Sequence, residues 1–434
     1  MNLEDRDKKH LWHPLTQHKT HPNTLAIKRA KGAVIYDEAD KAYIDGIASW
    51  YTCMYGHCHD YIIDKVTKQL GKLDHVVFSG FTHKPAVALS EALIDILPDN
   101  QEKIFFSDNG STSVDVAIKM ALQYHFNKGE KNRGLVLSFE DGFHGDTFGA
   151  MSVSGLSIYN GPFEEFFIDV KRIQVPNAEN IDAVKKQLAE ILATEKVAAF
   201  IFEPLVQGAA AMKMHEAKYL NELLKITQSH GVINIADEVM TGFGKTGTHF
   251  ASEQLEVYPD IICMSKSLTG GVSAMAITSC SQEIYDAFYD DSILKGFFHG
   301  HTYSANPLTC TAALACIELL KSEEIQNSIQ RIHQKHVAFT ESLVNNKHIK
   351  SSRICGVICA LEINVQTDRY SNYRDQLFAA FMERGIFLRP LGNVIYILPP
   401  FVITDEQLDK IYQGIVEVVA VSYTHLTLPT IYSV

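Results

Sequence analysis

The chain has no apolar run of about 18 residues or more, the length a membrane-crossing helix needs. The uncharged stretch at 299–317 is interrupted by His, Asn and Pro and does not read as a span. A basic excess is missing too. Lys and Arg number 39 against 51 Asp and Glu, a formal net charge of −12. That balance argues against a nucleic acid or an anionic membrane as the main partner, because such surfaces need clustered cations. It leaves room for a small basic pocket that takes an anion. Cysteine is sparse, 8 residues in 434, and scattered. The opening Met1-Asn2-Leu3-Glu4-Asp5-Arg6-Asp7 lacks the basic and then apolar pattern of a secretory signal. Reduced thiols in a cytoplasmic protein are therefore expected, not a disulfide framework. The sequence shows no internal repeat and no low-complexity linker.

What is present is the balance of a soluble globular protein, 46% hydrophobic and 21% charged residues. At about 100–200 residues per domain, the length allows two or three domains, or one large domain with a satellite. Strand-like and helix-like segments alternate through the middle, the pattern of an α/β fold with a mostly parallel sheet. Strands are expected at 103–107, 134–139, 197–202, 232–236, 261–264 and 274–278, with helices at 113–126, 181–194 and 216–230. Ala33-Val34-Ile35-Tyr36-Asp37 and Ala42-Tyr43-Ile44-Asp45-Gly46 flank a polar turn and predict a hairpin. After His299 the chain turns helical (307–321, 323–345), then offers short strands and two more helices ending near Val419. This order predicts a large α/β domain over 56–305 and a smaller α+β domain from both chain ends, 1–55 and 306–419. The last stretch, 420–434, is uncharged, rich in Thr and Tyr, and reads as a non-native tail.

Some motifs fail on context. Gly242-Phe243-Gly244-Lys245-Thr246-Gly247 fits the dinucleotide pattern, but that site needs a strand running straight into the first Gly and a helix opening at the second. Here Asp237 to Thr241 intervene and no long helix follows Gly247. A Walker A loop fails because Val239 stands where its first Gly belongs. Cys53, His57, Cys58 and His59 crowd together without the separated second pair of a structural zinc site. They read as thiols and loop histidines.

Three other features carry chemistry. The strand ending at Ser107 leads through Asp108-Asn109-Gly110-Ser111-Thr112-Ser113 into a helix, whose N-terminus offers free N–H groups and hydroxyls to a phosphate. Asp237 and Glu238 stand at the carboxyl end of a buried strand, where open α/β sheets bind ligands. Lys266 follows the next strand among small residues, where a lysine can serve as amine nucleophile and base. Each alone has a bland alternative: a helix cap, a strand-end acid, a loop lysine. Together they are what pyridoxal 5'-phosphate requires, with a phosphate cradle, an acid for the pyridine nitrogen and an amine for the aldehyde.

The order Gly110-Ser111, Asp237-Glu238, Lys266 resembles the class III aminotransferases of fold-type I. Phe143-His144-Gly145-Asp146-Thr147, Glu203-Pro204-Leu205-Val206-Gln207-Gly208 and the 242–247 phrase agree. Trp12-His13-Pro14, Ser49-Trp50-Tyr51, His299-Gly300-His301-Thr302 and Arg389-Pro390-Leu391-Gly392 are similar to the branch that aminates 8-amino-7-oxononanoate with S-adenosylmethionine in biotin biosynthesis. The resemblance runs from about Leu11 to Val419. It implies a homodimer with shared sites. It implies that Lys266 holds the cofactor, Asp237 pairs with its ring nitrogen, and Gly110 and Ser111 bind its phosphate. His301 and Thr302 would contact the cofactor, Thr302 from the neighbouring subunit. Phe143 would stack on the ring. Trp50, Phe143, Lys266 and Gly300 would line the substrate pocket, and Arg389 would take the substrate carboxylate. Glu203 and Asp146 would support the pocket. The family pattern is broken where Leu15 and Phe143 replace Tyr, Tyr51 replaces Trp, and Lys245 replaces Arg. These changes bear on the amino donor and keep lysine as an alternative; another class III aminotransferase acting on an ω-amino acid is the other alternative, and Trp50, His299-Gly300 and Arg389-Pro390 speak against it.

Overall fold

The computed structural model describes residues 2–21, 24–155, 157, 160–367 and 372–427, with residues 422–427 by backbone alone. Its centre is a seven-stranded sheet: β1 (Gln101–Ser107), β2 (Leu135–Phe139), β3 (Val170–Ile173), β4 (Val197–Phe202), β5 (Ile233–Asp237), β6 (Ile261–Met264) and β7 (Ala276–Ser281). The spatial order is β1-β7-β6-β5-β4-β2-β3. β7 runs antiparallel to both its neighbours, and the other pairs are parallel. The mostly parallel α/β architecture expected from the alternation is therefore observed. Every residue of β2, β4, β5 and β6 is buried. This is why they read as continuous apolar runs and not as alternating ones.

β3 has no counterpart in the sequence reading. Its central Lys171 and Arg172 break the apolar run, and it lies at the sheet edge, where charge is tolerated and guards against further pairing.

Helix α1 (Gly110–Asn127) covers one face. Its Val114, Ala117, Ala121 and Tyr124 cluster with Val136, Ile201, Ile235 and Ile261 from the sheet. It begins at Gly110, three residues before the apolar periodicity, because Asn109 caps it by accepting the Thr112 N–H at 3.1 Å. A second helix, α2 (Pro307–Leu320), opens on Pro after the Asn306 cap. Its buried face is mostly small (Cys310, Ala312, Ala313, Cys316), and it packs against the helices Asp60–Leu70 and Lys84–Ile94.

The two ends of the chain meet. The hairpin Val34–Asp37 with Ala42–Asp45 forms as expected, and Ile386–Phe387 pairs parallel to its second strand. A three-stranded sheet of Ile349–Cys355, Ile358–Ile363 and Val394–Ile397 follows. The last helix, Asp405–Thr427, runs past the expected end at Val419. No Gly or Pro stands between Ala420 and Thr427 to stop it; Pro429 is the first. Residues 428–434 of the expected tail lie outside the described residues. Among the described residues no helix is long and apolar enough to cross a membrane.

Candidate active site

The parallel strands aim their carboxyl ends at one place, and the chemistry-bearing side chains stand there. Asp237 closes β5 in register with Cys263 of β6. Ser265 and Lys266 follow β6, and Glu203 follows β4. Ser107 closes β1 and leads through Asp108 and Asn109 into α1.

Asp237 is almost fully buried, and its carboxylate is held at both oxygens. Oδ1 accepts the Val239 N–H at 3.0 Å, and Oδ2 lies 2.8 Å from Nδ1 of the buried His144. His144 is a residue the sequence reading quoted in a phrase without a role. Two such bonds fix the direction of the carboxylate.

Glu203 is buried beside this pair. Its Oε1 accepts the Phe143 N–H and its Oε2 the Gly208 N–H, both at 2.9 Å. Burial, opposed by His144 and assisted by the Asp237 charge, raises its carboxyl to about 7. The Phe143 ring itself is exposed.

Lys266 takes a left-handed φ of 48° at the start of a short 3-10 turn. Its Nζ lies 5.0 Å from the centre of the Tyr51 ring. Burial lowers its pKa, with the Asp237 and Glu203 carboxylates acting in the opposite direction. Lys245 lies beneath this turn. It is fully buried and donates to Gly242 O at 2.5 Å and to Ser267 Oγ at 2.6 Å. Burial first, and the nearby Lys266 second, push its pKa well down.

The start of α1 is shaped for backbone contact. A Cβ at Gly110 would come within 2.8 Å of Val239 Cγ1, and one at Gly145 within 2.1 Å of Ser111 Oγ. Ser111 Oγ accepts the N–H of the exposed Asp146 at 3.1 Å. No side chain fits between the helix N-terminus and the 143–147 loop. The 143–147 backbone thus packs directly on Ser111 at the N-terminus of α1, an end whose dipole suits an anion. A primary amine, a fixed carboxylate and a backbone cradle suit an aldehyde, a ring nitrogen and a phosphate respectively. The residues fit pyridoxal 5'-phosphate.

Trp50 and Arg389, far apart in sequence, come together. The guanidinium carbon lies 5.1 Å from the indole centre, a cation–π contact. Trp50 belongs to a turn, Ala48 to Tyr51, in which all four residues have positive φ of 46°, 45°, 67° and 69°. Left-handed L-residues cost roughly 1–2 kcal/mol each. The strain at this position was invisible in the sequence.

The 299–302 loop lies elsewhere in this chain. His299 Nδ1 contacts Lys119 Nζ at 2.9 Å, on the third turn of α1. Gly300 and Thr302 are exposed. His301 bonds within its own loop, through its N–H to Ser304 Oγ at 3.3 Å. Among the described residues Thr302 makes no hydrogen bond to the cradle. Leu15 is exposed, with a left-handed φ of 51°.

Comparison with known proteins agrees with this arrangement. The family model described as "Aminotransferase class-III" matches residues 15–419. A protein of Synechococcus elongatus named adenosylmethionine-8-amino-7-oxononanoate aminotransferase is 42% identical over 94% of this chain and 98% of its own. A protein of Helicobacter pylori with the same name is 34% identical over 96% and 97%. Among solved structures, the aminotransferase of that name from Methanocaldococcus jannaschii superposes with a TM-score of 0.90 at 32% identity, covering 96% of this chain and 98% of that one. An amine transaminase from an uncultivated Pseudomonas species, in a pyridoxal-phosphate-bound form, gives 0.90 at 27% identity, covering 95% and 98%. The sheet order and its single antiparallel strand are thus those of a fold-type I transferase. With a family model matched over nearly the whole chain and relatives above 30% identity along both lengths, this chain belongs to the class III aminotransferases.

Proposed function

We infer that the protein is a pyridoxal-phosphate-dependent transaminase that moves an amino group from S-adenosylmethionine to 8-amino-7-oxononanoate, giving 7,8-diaminononanoate for biotin biosynthesis. The printed names of the similar proteins support these substrates. The observation that carries the reading is the Trp50–Arg389 contact, one residue from the Tyr51 ring that Lys266 Nζ approaches at 5.0 Å: an aromatic wall and a cation suited to a long substrate with a distal carboxylate.

The cofactor, when bound, withdraws electrons from the substrate carbon. The protein's residues do the rest. Lys266 would hold the cofactor, and its free Nζ would take the proton from the amino substrate's Cα. The lowered pKa favours this role, since a base must be free of its own proton. Asp237, aimed by His144 and Val239, would keep the ring nitrogen protonated. Gly110 and Ser111 would bind the phosphate, and Phe143 would stack on the ring. Arg389 pairs with the far carboxylate and Trp50 lines its path, while Gly300 contributes from the same partner-serving loop as Thr302. The loop of His301 and Thr302 serves the site of a partner subunit in a homodimer. The exposed apolar side chains around it, Ile293, Leu294, Phe298 and Tyr303, support a covered surface. Eight free cysteines support a reducing, cytoplasmic setting. We read the chain as a large domain over 56–305 and a small one from 1–55 and 306–419.

Leu15 and Phe143 each lack a hydroxyl, which keeps lysine as a second candidate donor. The deciding experiment is the isolated donor half-reaction, followed by the cofactor's visible absorbance. S-Adenosylmethionine should discharge it and lysine should not. Discharge by lysine alone would reverse the donor, and discharge by ornithine or 4-aminobutyrate alone would move the enzyme to another substrate class.

A further inference from the structure

Asp45 is fully buried and gathers three donors. Oδ1 takes the Ile47 N–H at 3.2 Å. Oδ2 lies 2.8 Å from both the Ser49 hydroxyl and His57 Nε2. Ser49 Oγ and His57 Nε2 are themselves 3.3 Å apart, so the three side chains close on one another. His57 is fixed from outside. Its N–H donates to Gly32 O at 2.8 Å, and its carbonyl accepts from Gly32 N at 3.0 Å. Burial works against a charged imidazole here, but Asp45 and the Cys53 thiol hold His57 up at about 10.

This clamp sits at the root of the Ala48-to-Tyr51 turn. Four consecutive left-handed residues persist only where the surroundings over-determine them. The same strand end carries the other half of the pocket. Asp45 is in register with Phe387, two residues before Arg389. The Gly46 N–H donates to Phe387 O at 3.0 Å. A Cβ at Gly46 would meet Leu388 Cδ2 at 2.6 Å, so the two segments are pressed together. Trp50 and Arg389 therefore hang from one strand pair, and the clamp decides how the Trp50 arm leaves it.

We propose that Asp45 and His57 are positioning residues that hold the 48–51 turn so that Trp50 lies over Arg389, and that through this contact they set the affinity for the substrate's far carboxylate. The proposal rests on Trp50 and Arg389 being the substrate residues inferred above.

The chain has 2 tryptophans, so a Trp12→Phe background leaves Trp50 as the one indole. In full-length protein on that background, Asp45→Asn, His57→Gln and Arg389→Ala should each change Trp50 emission. Each should raise KM for 8-amino-7-oxononanoate about tenfold with kcat within about twofold, the scale of one lost charged hydrogen bond. Combined with Arg389→Ala, neither should add much, because both act through the same contact. Unchanged emission and KM in folded variants would overturn the proposal. So would an equal fall in kcat for every substrate, or effects additive with Arg389→Ala. If Asp45→Asn does not fold, His57→Gln and Ser49→Ala carry the test. If the wild type does not turn over 8-amino-7-oxononanoate, the substrate reading fails on its own. The emission measurements then still decide whether the clamp places Trp50.

Discussion

His144 Nδ1 stands 2.8 Å from Asp237 Oδ2, both side chains buried, and the Asp237 charge reaches the lysine that follows the neighbouring strand. A carboxylate aimed in this way can hold a proton on a ring nitrogen throughout a reaction. Asp237→Asn keeps the shape and removes the charge. Both half-reactions should slow together while the cofactor still binds. Loss confined to one half-reaction, in stopped-flow traces, would contradict the role.

Lys266→Ala should abolish turnover, since one side chain supplies both the attachment and the base. The base alone is worth roughly 100- to 10,000-fold. Borohydride reduction of the wild type followed by peptide mapping should mark Lys266. A mark on another lysine ends the assignment.

Arg389→Ala should weaken the 8-amino-7-oxononanoate half-reaction by about 1.5–3 kcal/mol, the worth of a hydrogen bond to a charged group. The control is the methyl ester of the substrate. If the ester reacts with wild type as well as the acid does, Arg389 is not the carboxylate's partner.

Glu203 predicts a pH dependence of stability. Its carboxyl is raised from 4.5 to about 7, so between those values the folded protein keeps a proton that the unfolded chain has released. Stability therefore falls as pH rises through this window, by at most about 1.4 kcal/mol per unit, and the loss is complete above it. Glu203→Gln should remove that slope. Thermal midpoints of the two proteins should converge toward about pH 4.5 and separate toward about pH 8; parallel curves would show that another group titrates.

Thr302 predicts subunit complementation. If it serves the partner's phosphate site, a dimer of one Lys266→Ala and one Thr302→Val subunit has both lesions in one site and none in the other. Mixing the two variants at limiting cofactor should restore activity. No gain after verified subunit exchange, with Thr302→Val alone weakening cofactor binding, would make Thr302 a residue of its own subunit's site.

Much of this protein is legible one residue at a time. β4 and β6 have the bounds their apolar runs predict, and β2 and β5 lie within one residue of them, because strands buried on both faces must be apolar throughout. Asp237 and Lys266 could be singled out because a charged residue at the end of such a strand is conspicuous. The edge strand β3 was not legible, since edge burial demands no apolar run. The Trp50–Arg389 contact, the His144–Asp237 bond and the Asp45–His57 clamp were decided only in three dimensions. Each joins residues from different elements: 339 positions separate Trp50 from Arg389, and 93 separate His144 from Asp237. Their bond lengths depend on strand register and on how each turn leaves its strand. The left-handed turn at 48–51 contains no glycine to announce it. Local sequence determined which segments are strands and where their chemistry sits. The pKa values and the pocket walls required the fold, because burial and the approach of distant charges exist only after the chain has closed on itself.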